Sequence, residues 1–588
     1  MRTNPFLYLL SAALFVLCSQ ITHAGQRLDL VLGLSDAQLG GVDRLSHAGD
    51  LPPGVTRGDR LAVRVPQQGA YPWSSNLTID LTEDIRKGDV CLLTVWARCL
   101  DSMTGEGSIV LNVEKEGGNY DKQAAFGYGV PAQWKRFDVP FEAWFDLGAG
   151  QGRIAIHIGS TRQELELAGL SLVRMPAGTD IASLPRSEVT YKGRDADAEW
   201  RREALERIER VRTGPIRVRV VDATGNSVAG AKIEATQLRS AFSFGTAIAA
   251  RMFNDDDPSA PKYRDIASNL FSEVVFENAM KWEHHGLGDP DLIEAALRWA
   301  ERHDITVRGH TLIWPSWNNT PSHVQTFATD PAGLRALVTE RVASTAQQYR
   351  GRLVDWDVVN EPYTNHDITD ILGRESLADW YRVARRADPN AKLYLNDYGI
   401  LAAGPSTTPH QDHFADTIGF LIEQGAPIDG VGIQGHFGAT LTTPMRMQEI
   451  LDRYAAFGLP IKITEYDLDS DDDALQADFM RDVLIACYSH PAVDGFLVWG
   501  FWAGQHWRPR AAMYDEDWTP RPHAAVWKEW VLDRWASVAP AVSDANGEAV
   551  LRAHHGEYTI SVTSGGGTAA RTVTLDKAGA EVVVTVER

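Results

Sequence analysis

The 588-residue chain has little cysteine, a deficit of basic charge and only one long apolar run. Of its four cysteines, Cys18 lies in an N-terminal segment expected to be removed. Cys91 and Cys99 share the alternating run VCLLTVWARC, where eight strand residues would hold them roughly 26 Å apart. That is beyond disulfide reach. Cys487 falls on an apolar helical face, so three free, buried thiols are expected and no disulfide framework. The 57 basic residues face 78 acidic ones, a net charge of −21, which argues against a nucleic acid held through its phosphates. The apolar run covers 6–18 and is followed by Thr22-His23-Ala24. It is too short to span a bilayer but has the length of a leader's core, so 1–24 reads as a signal peptide. The mature protein is expected to be secreted or periplasmic, without a membrane span. A glycine-rich phosphate loop and a Ser-His-Asp order are both missing. His284-His285 and His554-His555 lack partners at metal-ligand spacing. No cofactor and no metal are therefore expected. The acidic run DLDSDDD at 467–473 reads as a helix cap, with calcium as the alternative.

Tryptophan, by contrast, is plentiful at 18 residues, and aromatic faces stack on sugars as well as filling cores. Two stretches carry the chemistry. In the run over 353–363 an apolar strand ends in Asn360-Glu361-Pro362, because Pro362 cannot donate to a sheet ladder. Burial at such a strand end raises a carboxyl's pKa, which suits a general acid. PIKITEYD at 460–467 repeats the design with Glu465. Two carboxyls on the ends of two buried strands point to one shared site.

The length implies two to four domains. Residues 25–178 read as a β-sandwich: LAVRV, VCLLTVWARC, GSIVLNVEKE and RIAIHIGS alternate between turn residues. The pattern resembles jelly-roll carbohydrate-binding modules, with Tyr71, Trp73, Tyr120, Tyr128, Trp134 and Trp144 as candidate sugar platforms. Residues 179–215 form a linker and a charged helix, predicted over 195–212 with Trp200, Leu205, Ile208 and Val211 on its apolar stripe. Residues 216–237 and 541–588 together resemble one carboxypeptidase-regulatory-like β-sandwich, into which 238–540 is inserted. A separate C-terminal module is the competing arrangement. The inserted segment alternates eight strands with helices, the count of a (β/α)8 barrel, so the fold class is α/β with two accessory β-sandwiches. Polar or aromatic residues stand at the C-terminal ends of nearly all the strands, on the face where such barrels carry their active sites.

Opposed carboxyls in an aromatic cleft suit glycosidic bond cleavage, and a separation of about 5.5 Å would give retention by double displacement. Spacing does not say which is the acid, but Glu361 has the poorly solvated setting that suits one, and His436 as a hydrogen-bond partner would keep Glu465 ionised. The barrel segment resembles glycoside hydrolase family 10, the endo-β-1,4-xylanases. The matching motifs are ENAMKW (277–282), RGHTLIW (308–314), DVVNEP (357–362), LNDY (395–398), GIQGHF (432–437) and ITEYD (463–467), with Trp499 and Trp507 in WGFWAGQHW. The resemblance implies an acid/base at Glu361 and a nucleophile at Glu465. It implies that Asn360 bonds the 2-hydroxyl of the sugar being cleaved and that His436 orients the nucleophile. Glu277, Asn278 and Lys281 would hold the next sugar, and His310, Trp314, Gln434, Trp499 and Trp507 would line the cleft. Pro315 and Trp317 depart from the family's usual His and Gln, and Trp502 adds bulk after strand eight. The expected partner is xylan or a related wall polysaccharide, acted on by a monomer. A non-xylan β-glycoside, a short decorated xylo-oligosaccharide and a non-catalytic sugar-binding role are the alternatives.

Overall fold

A computed structural model describes residues 28–587, apart from 47–48, 57, 70, 104–105, 119, 283–288, 439 and 566. The leader expected at 1–24 and the His284-His285 pair lie outside the described residues. Among those described, no helix is long and apolar enough to cross a membrane. The chain packs into two units, one built from the N-terminal 190 residues and one from most of the remainder.

The N-terminal unit is a sandwich of two antiparallel sheets. One has six strands, with Gln163–Arg174 paired between Arg60–Val65 and Val90–Ser102. The other has five, with Gly152–His157 between Asn76–Asp80 and Gly107–Lys115. Alternate residues of both sheets, among them Leu93, Val95, Leu111, Val113, Ile154, Ile156, Leu165 and Leu167, form one core. Cys91, Cys99 and, in the second unit, Cys487 are free and buried. Tyr128 is not a surface platform. It alternates inward with Ala124 and Val130 and packs on Phe137 at 5.0 Å. Trp73, Tyr120 and Trp144 are exposed.

In the second unit a helix runs over Glu199–Val211; of the predicted stripe Ile208 is buried and Trp200, Leu205 and Val211 are half-buried, while Arg201 and Ala204 join Ile208 on the buried face. The cause is an ion pair: Arg201 grips both oxygens of the fully buried Asp482 at 2.8 and 2.7 Å, so a charged residue takes the inner position. Next comes the small sandwich. Thr213–Val221 pairs antiparallel with Glu548–His554 and parallel with Ala580–Thr585. Lys232–Ser240 pairs with Ala541–Val542 and Gly556–Ser564. The two strands around the first glycine turn thus lie in different sheets, facing each other across Ile216, Val218, Ile233, Ile560 and Val562.

Between the two parts of this sandwich lies a closed ring of eight parallel strands. In order they are β1 Ser243–Ile248, β2 Glu273–Phe276, β3 Thr306–Gly309, β4 Asp355–Asn360, β5 Lys392–Asp397, β6 Gly430–Ile433, β7 Ile461–Leu468 and β8 Val493–Val498. β1 pairs with both β2 and β8, and β6 with β7, which closes the ring. Helix starts are marked by capping side chains. Asp289, Asp330 and Thr443 precede a first-turn proline, and the acidic run 467–473 supplies Asp472, which accepts from Leu475 N at 2.9 Å. The sixth strand stops at Ile433. Gly435 at φ +87° breaks it, and His436–Phe437 then pairs with Asp467–Leu468.

The lower interior of the ring is charged. Lys462 of β7 donates to Glu273 of β2 at 2.7 Å and to Asp355 of β4 at 2.6 Å. Arg308 of β3 donates to Asp355 at 2.7 Å and also to Asp357. All five are almost completely buried. Burial alone would lower the Lys462 pKa, but Asp355 and Glu273 outweigh it and raise it. Lys462→Met would leave two buried carboxylates without their shared cation. We expect a loss of about 3–5 kcal/mol in barrel stability, read as a lowered urea midpoint of the full chain.

Candidate active site

Glu361 follows the last residue of β4 and Glu465 lies within β7. β4 carries a bulge between Asp357 and Val359. The extra residue shifts the alternation, so that Asp357 and Asn360, three apart, both point into the ring. Glu361 then adopts φ +53°, a left-handed conformation costing about 1–2 kcal/mol for a residue with a Cβ. Its backbone N–H is held by Asn396 O at 2.9 Å.

Two amide side chains tie the carboxyls together. Asn396 Nδ2 donates to Glu465 Oε1 at 2.7 Å and to Asn360 Oδ1 at 2.9 Å. Asn360 Nδ2 in turn reaches Glu361 Oε1 at 3.2 Å, beside a shorter bond from Gln434 Nε2 at 2.8 Å. Thr464 Oγ1 donates to Asn396 Oδ1 at 2.8 Å and fixes which end of that amide faces Glu465. The close fit needs glycine at 432, where a Cβ would stand 2.6 Å from Asn396 Oδ1.

The two acids differ in protonation. Burial raises the Glu361 carboxyl to about 7, helped by the negative charges of Asp397 and Glu465 and opposed by the Gln434 hydrogen bond. Burial would raise Glu465 as well. There, the His436 hydrogen bond and the positive charges of His310, His436 and Lys281 prevail, and its pKa lies below the ordinary value. His436 Nε2 is 3.1 Å from Glu465 Oε2, and its Nδ1 is 3.0 Å from Asp467 Oδ2. Burial disfavours the charged ring, yet Asp467 and Glu465 together lift His436 to about 9. The site therefore holds one carboxyl able to be protonated near neutrality and one kept ionised, which is the equipment for acid–base and nucleophilic catalysis at one centre.

The remaining sequence-predicted residues surround this pair. His310 Nδ1 meets Asp357 Oδ2 at 2.8 Å, and its ring is edge-on to Trp499 at 5.3 Å. Lys281 Nζ bonds Asn278 Oδ1 at 3.0 Å and lies 5.2 Å over Trp314 and 6.0 Å over Trp499. Glu277 is raised by burial, with Lys281 acting against it. Trp507 is half exposed and donates to Asp467 Oδ2 at 2.7 Å. His310, Asp357 and Glu465 offer ligand atoms within 4.8 Å of one another. Those atoms are already engaged: Asp357 by Arg308 and His310, Glu465 by Asn396 and His436. Trp502 needs correcting as a cleft wall. It is 8% exposed, stacked on Trp518 at 4.3 Å and edge-on to Tyr263, so it serves packing rather than presenting an open face.

Several functional residues escaped the sequence reading. Asp467 lies two residues after Glu465, so strand alternation alone would have put it on the same face. Asn396 stands in the LNDY motif at a strand end. Asn365, which donates to Glu361 Oε2 at 3.3 Å, left no signal, since nothing marks its loop for return to the carboxyl.

The sequence model of glycosyl hydrolase family 10 matches residues 234–529. Anti-sigma-I factor RsgI6 of Acetivibrio thermocellus is 31% identical over 384 residues, 64% of this chain and 49% of that protein. Endo-1,4-beta-xylanase 1 of Arabidopsis thaliana is 26% identical over 474 residues, 78% of this chain and 47% of its own length. The chain thus spans about half the length of these curated relatives. Among solved structures, native xylanase 10B from Thermotoga maritima aligns with a TM-score of 0.46 at 27% identity, covering 50% of this chain and 96% of that one.

Because the negative charge of Glu465 helps raise Glu361, Glu465→Gln should lower the Glu361 pKa. A 13C titration of the Glu361 carboxyl would register it as a midpoint below the wild-type value of about 7; an unmoved midpoint would mean that the carboxyls do not sense each other.

Proposed function

The chain belongs to glycosyl hydrolase family 10, and from that premise we propose that it hydrolyses internal β-1,4-xylosidic bonds of xylan with retention of configuration. The observation carrying this reading is the pair of buried carboxyls, bridged through Asn396 and Asn360, of which one is raised to about 7 and the other lowered. In the first step a Glu465 oxygen bonds to the anomeric carbon as the glycosidic C–O bond breaks, and the Glu361 proton passes to the leaving oxygen. In the second, water attacks the same carbon, gives its proton to Glu361 and releases Glu465. Asn360 would hold the 2-hydroxyl, Glu277, Asn278 and Lys281 the next sugar, and His310, Trp314, Gln434, Trp499 and Trp507 the flanks. An exported enzyme suits a wall polymer that lies outside the cell.

The test is reducing-sugar release from xylan against cellulose and mixed-linkage glucan. Xylan should dominate; a preference for either glucan would favour the non-xylan β-glycoside reading, for which Pro315 and Trp317 are the motive. Glu465→Ala should abolish turnover, whereas Glu361→Ala should keep glycosylating on an activated aryl β-xyloside whose leaving group needs no proton. If both variants are equally dead on that substrate, the roles are misassigned. The value of kcat/KM should fall as pH rises through about 7, where Glu361 loses its proton.

For the N-terminal sandwich we propose polysaccharide binding on the outer face of its five-stranded sheet. Its floor is polar: the buried Asn112 and His157 bond each other at 3.2 Å, and the half-buried Arg153 bonds the buried Glu114 at 3.0 Å. Exposed aromatics flank that floor. Trp73 is stacked on Tyr71 at 4.6 Å and is edge-on to His157 at 6.3 Å, and Tyr120 lies under Arg153. Trp73→Ala should cut retention on insoluble xylan about tenfold, by loss of one stacked ring, while leaving hydrolysis of a soluble aryl xyloside unchanged. Unaltered retention would discard this face.

A further inference from the structure

We propose that Asn365 is a positioning residue for Glu361, anchored by the loop after β3 and holding the carboxyl oxygen that carries the transferable proton. This rests on Glu361 being the acid/base. The two oxygens of Glu361 have different surroundings. Oε1 accepts two N–H donors, Gln434 Nε2 at 2.8 Å and Asn360 Nδ2 at 3.2 Å. With both acceptor directions used, Oε1 has no room for a proton. The acid proton therefore resides on Oε2. Among the described residues Oε2 has one hydrogen-bond donor, Asn365 Nδ2 at 3.3 Å.

Asn365 cannot turn its carbonyl end towards Glu361 without losing other bonds. Its Oδ1 accepts from Ser316 Oγ at 2.9 Å and from Asn319 Nδ2 at 2.8 Å. Asn319 also donates to Ser316 Oγ at 2.8 Å, so that hydroxyl must point its hydrogen at Asn365. The amide's N–H end is thus directed at Glu361 and Thr364, its two hydrogens shared among the Glu361 backbone carbonyl at 3.1 Å, Thr364 Oγ1 at 3.1 Å and Glu361 Oε2 at 3.3 Å. Ser316 and Asn319 belong to the segment that holds Pro315 and Trp317, where the chain leaves the family's usual sequence. That segment is tied to the chain after β4 by two further bonds, Trp317 N to Asp367 Oδ2 at 2.9 Å and Ile368 N to Pro315 O at 3.1 Å.

An N–H aimed at Oε2 favours the ionised carboxyl. It therefore eases departure of the proton to the leaving oxygen, and it holds Oε2 in place to take the proton back from water in the second step. The charged groups facing Glu361 from the neighbouring strands are Asp397 of β5, Glu465 of β7 and His436 after β6. None of them supplies a hydrogen bond to Oε2.

The experiment is a 13C titration of the Glu361 carboxyl, assigned by its loss in Glu361→Gln, together with pH profiles on an aryl β-xyloside. Asn365→Leu removes the donor and should move the carboxyl midpoint and the alkaline limb of kcat/KM up by about half a pH unit. Asn365→Asp keeps the Ser316 and Asn319 bonds but sets a second acid against Oε2, and should move both up by about one unit or more. Asn319→Ala, which removes a bond to Asn365 Oδ1 and none to Glu361, should move them in the same direction by less. With an activated leaving group the second step limits turnover, so kcat of Asn365→Leu should drop about tenfold. A purely structural role would leave the midpoint where it is. The proposal is overturned if the folded variants titrate Glu361 as the wild type does. Failure of the wild type to cut any xylan would instead remove the substrate assignment, and the carboxyl titration would still decide the role of Asn365.

Discussion

The barrel depends on a lattice of charge buried where a hydrocarbon core would be the simpler choice. Lys462, Glu273, Asp355, Arg308 and Asp357 come from β7, β2, β4 and β3, and each is nearly inaccessible to water. Removing such groups from water costs several kcal/mol per ion, and hydrophobic residues of like volume often pack as stably. What the lattice adds is register. A strand slipped by one residue would turn its charge to the outer face and leave the partner unpaired. The lattice also reaches the chemistry. Asp357 takes Arg308 on one oxygen and His310 on the other, and the charge of His310 is one of those that keep Glu465 ionised. The interaction that sets the strands also sets the nucleophile.

Two glutamates of the same intrinsic acidity are separated by their neighbours rather than by their depth. Both are buried, and burial pushes both upward. Glu361 has neutral amides for donors and carboxylates nearby, so the push prevails. Glu465 has a histidine that Asp467 helps to charge, and there the push fails. The amide chain between the acids can pass geometry without passing charge: Asn396 and Asn360 fix where each carboxyl points, yet neither titrates. This arrangement lets one centre hold a proton and a lone pair within reach of the same atom.

Much of this was legible in the sequence because strands and helices leave different periods, and because polar residues ending apolar strands have no packing reason to be there. Such ends on nearly all the strands pointed to one face, and the ring closes as the alternation predicts. Where the reading failed, the cause was a local event that period cannot encode. The bulge in β4 changes the parity of Asp357 and Asn360. Gly435 cuts β6 short, so His436 reaches Glu465 from a separate short strand. Arg201 took an inner helix position because a buried Asp482 awaited it. Asn365 acts through a loop whose return to Glu361 exists only in three dimensions.

The small sandwich shows why a barrel tolerates being inserted in another domain. The chain enters β1 directly from Lys232–Ser240 and returns to the same sandwich at Ala541. Arg212, at the sandwich's edge, donates to the carbonyls of Tyr488, His490 and Val493 at 2.7, 2.6 and 2.6 Å. These carbonyls belong to the end of helix Asp473–Ser489 and the start of β8, on the rim opposite the carboxyl mouth. Tyr488 also meets His554 at 2.9 Å and packs, tilted by 34°, against Trp535 at 4.2 Å. The sandwich thus satisfies the carbonyls of a helix end and a strand start at the closed end of the barrel, where neither finds a partner within its own element.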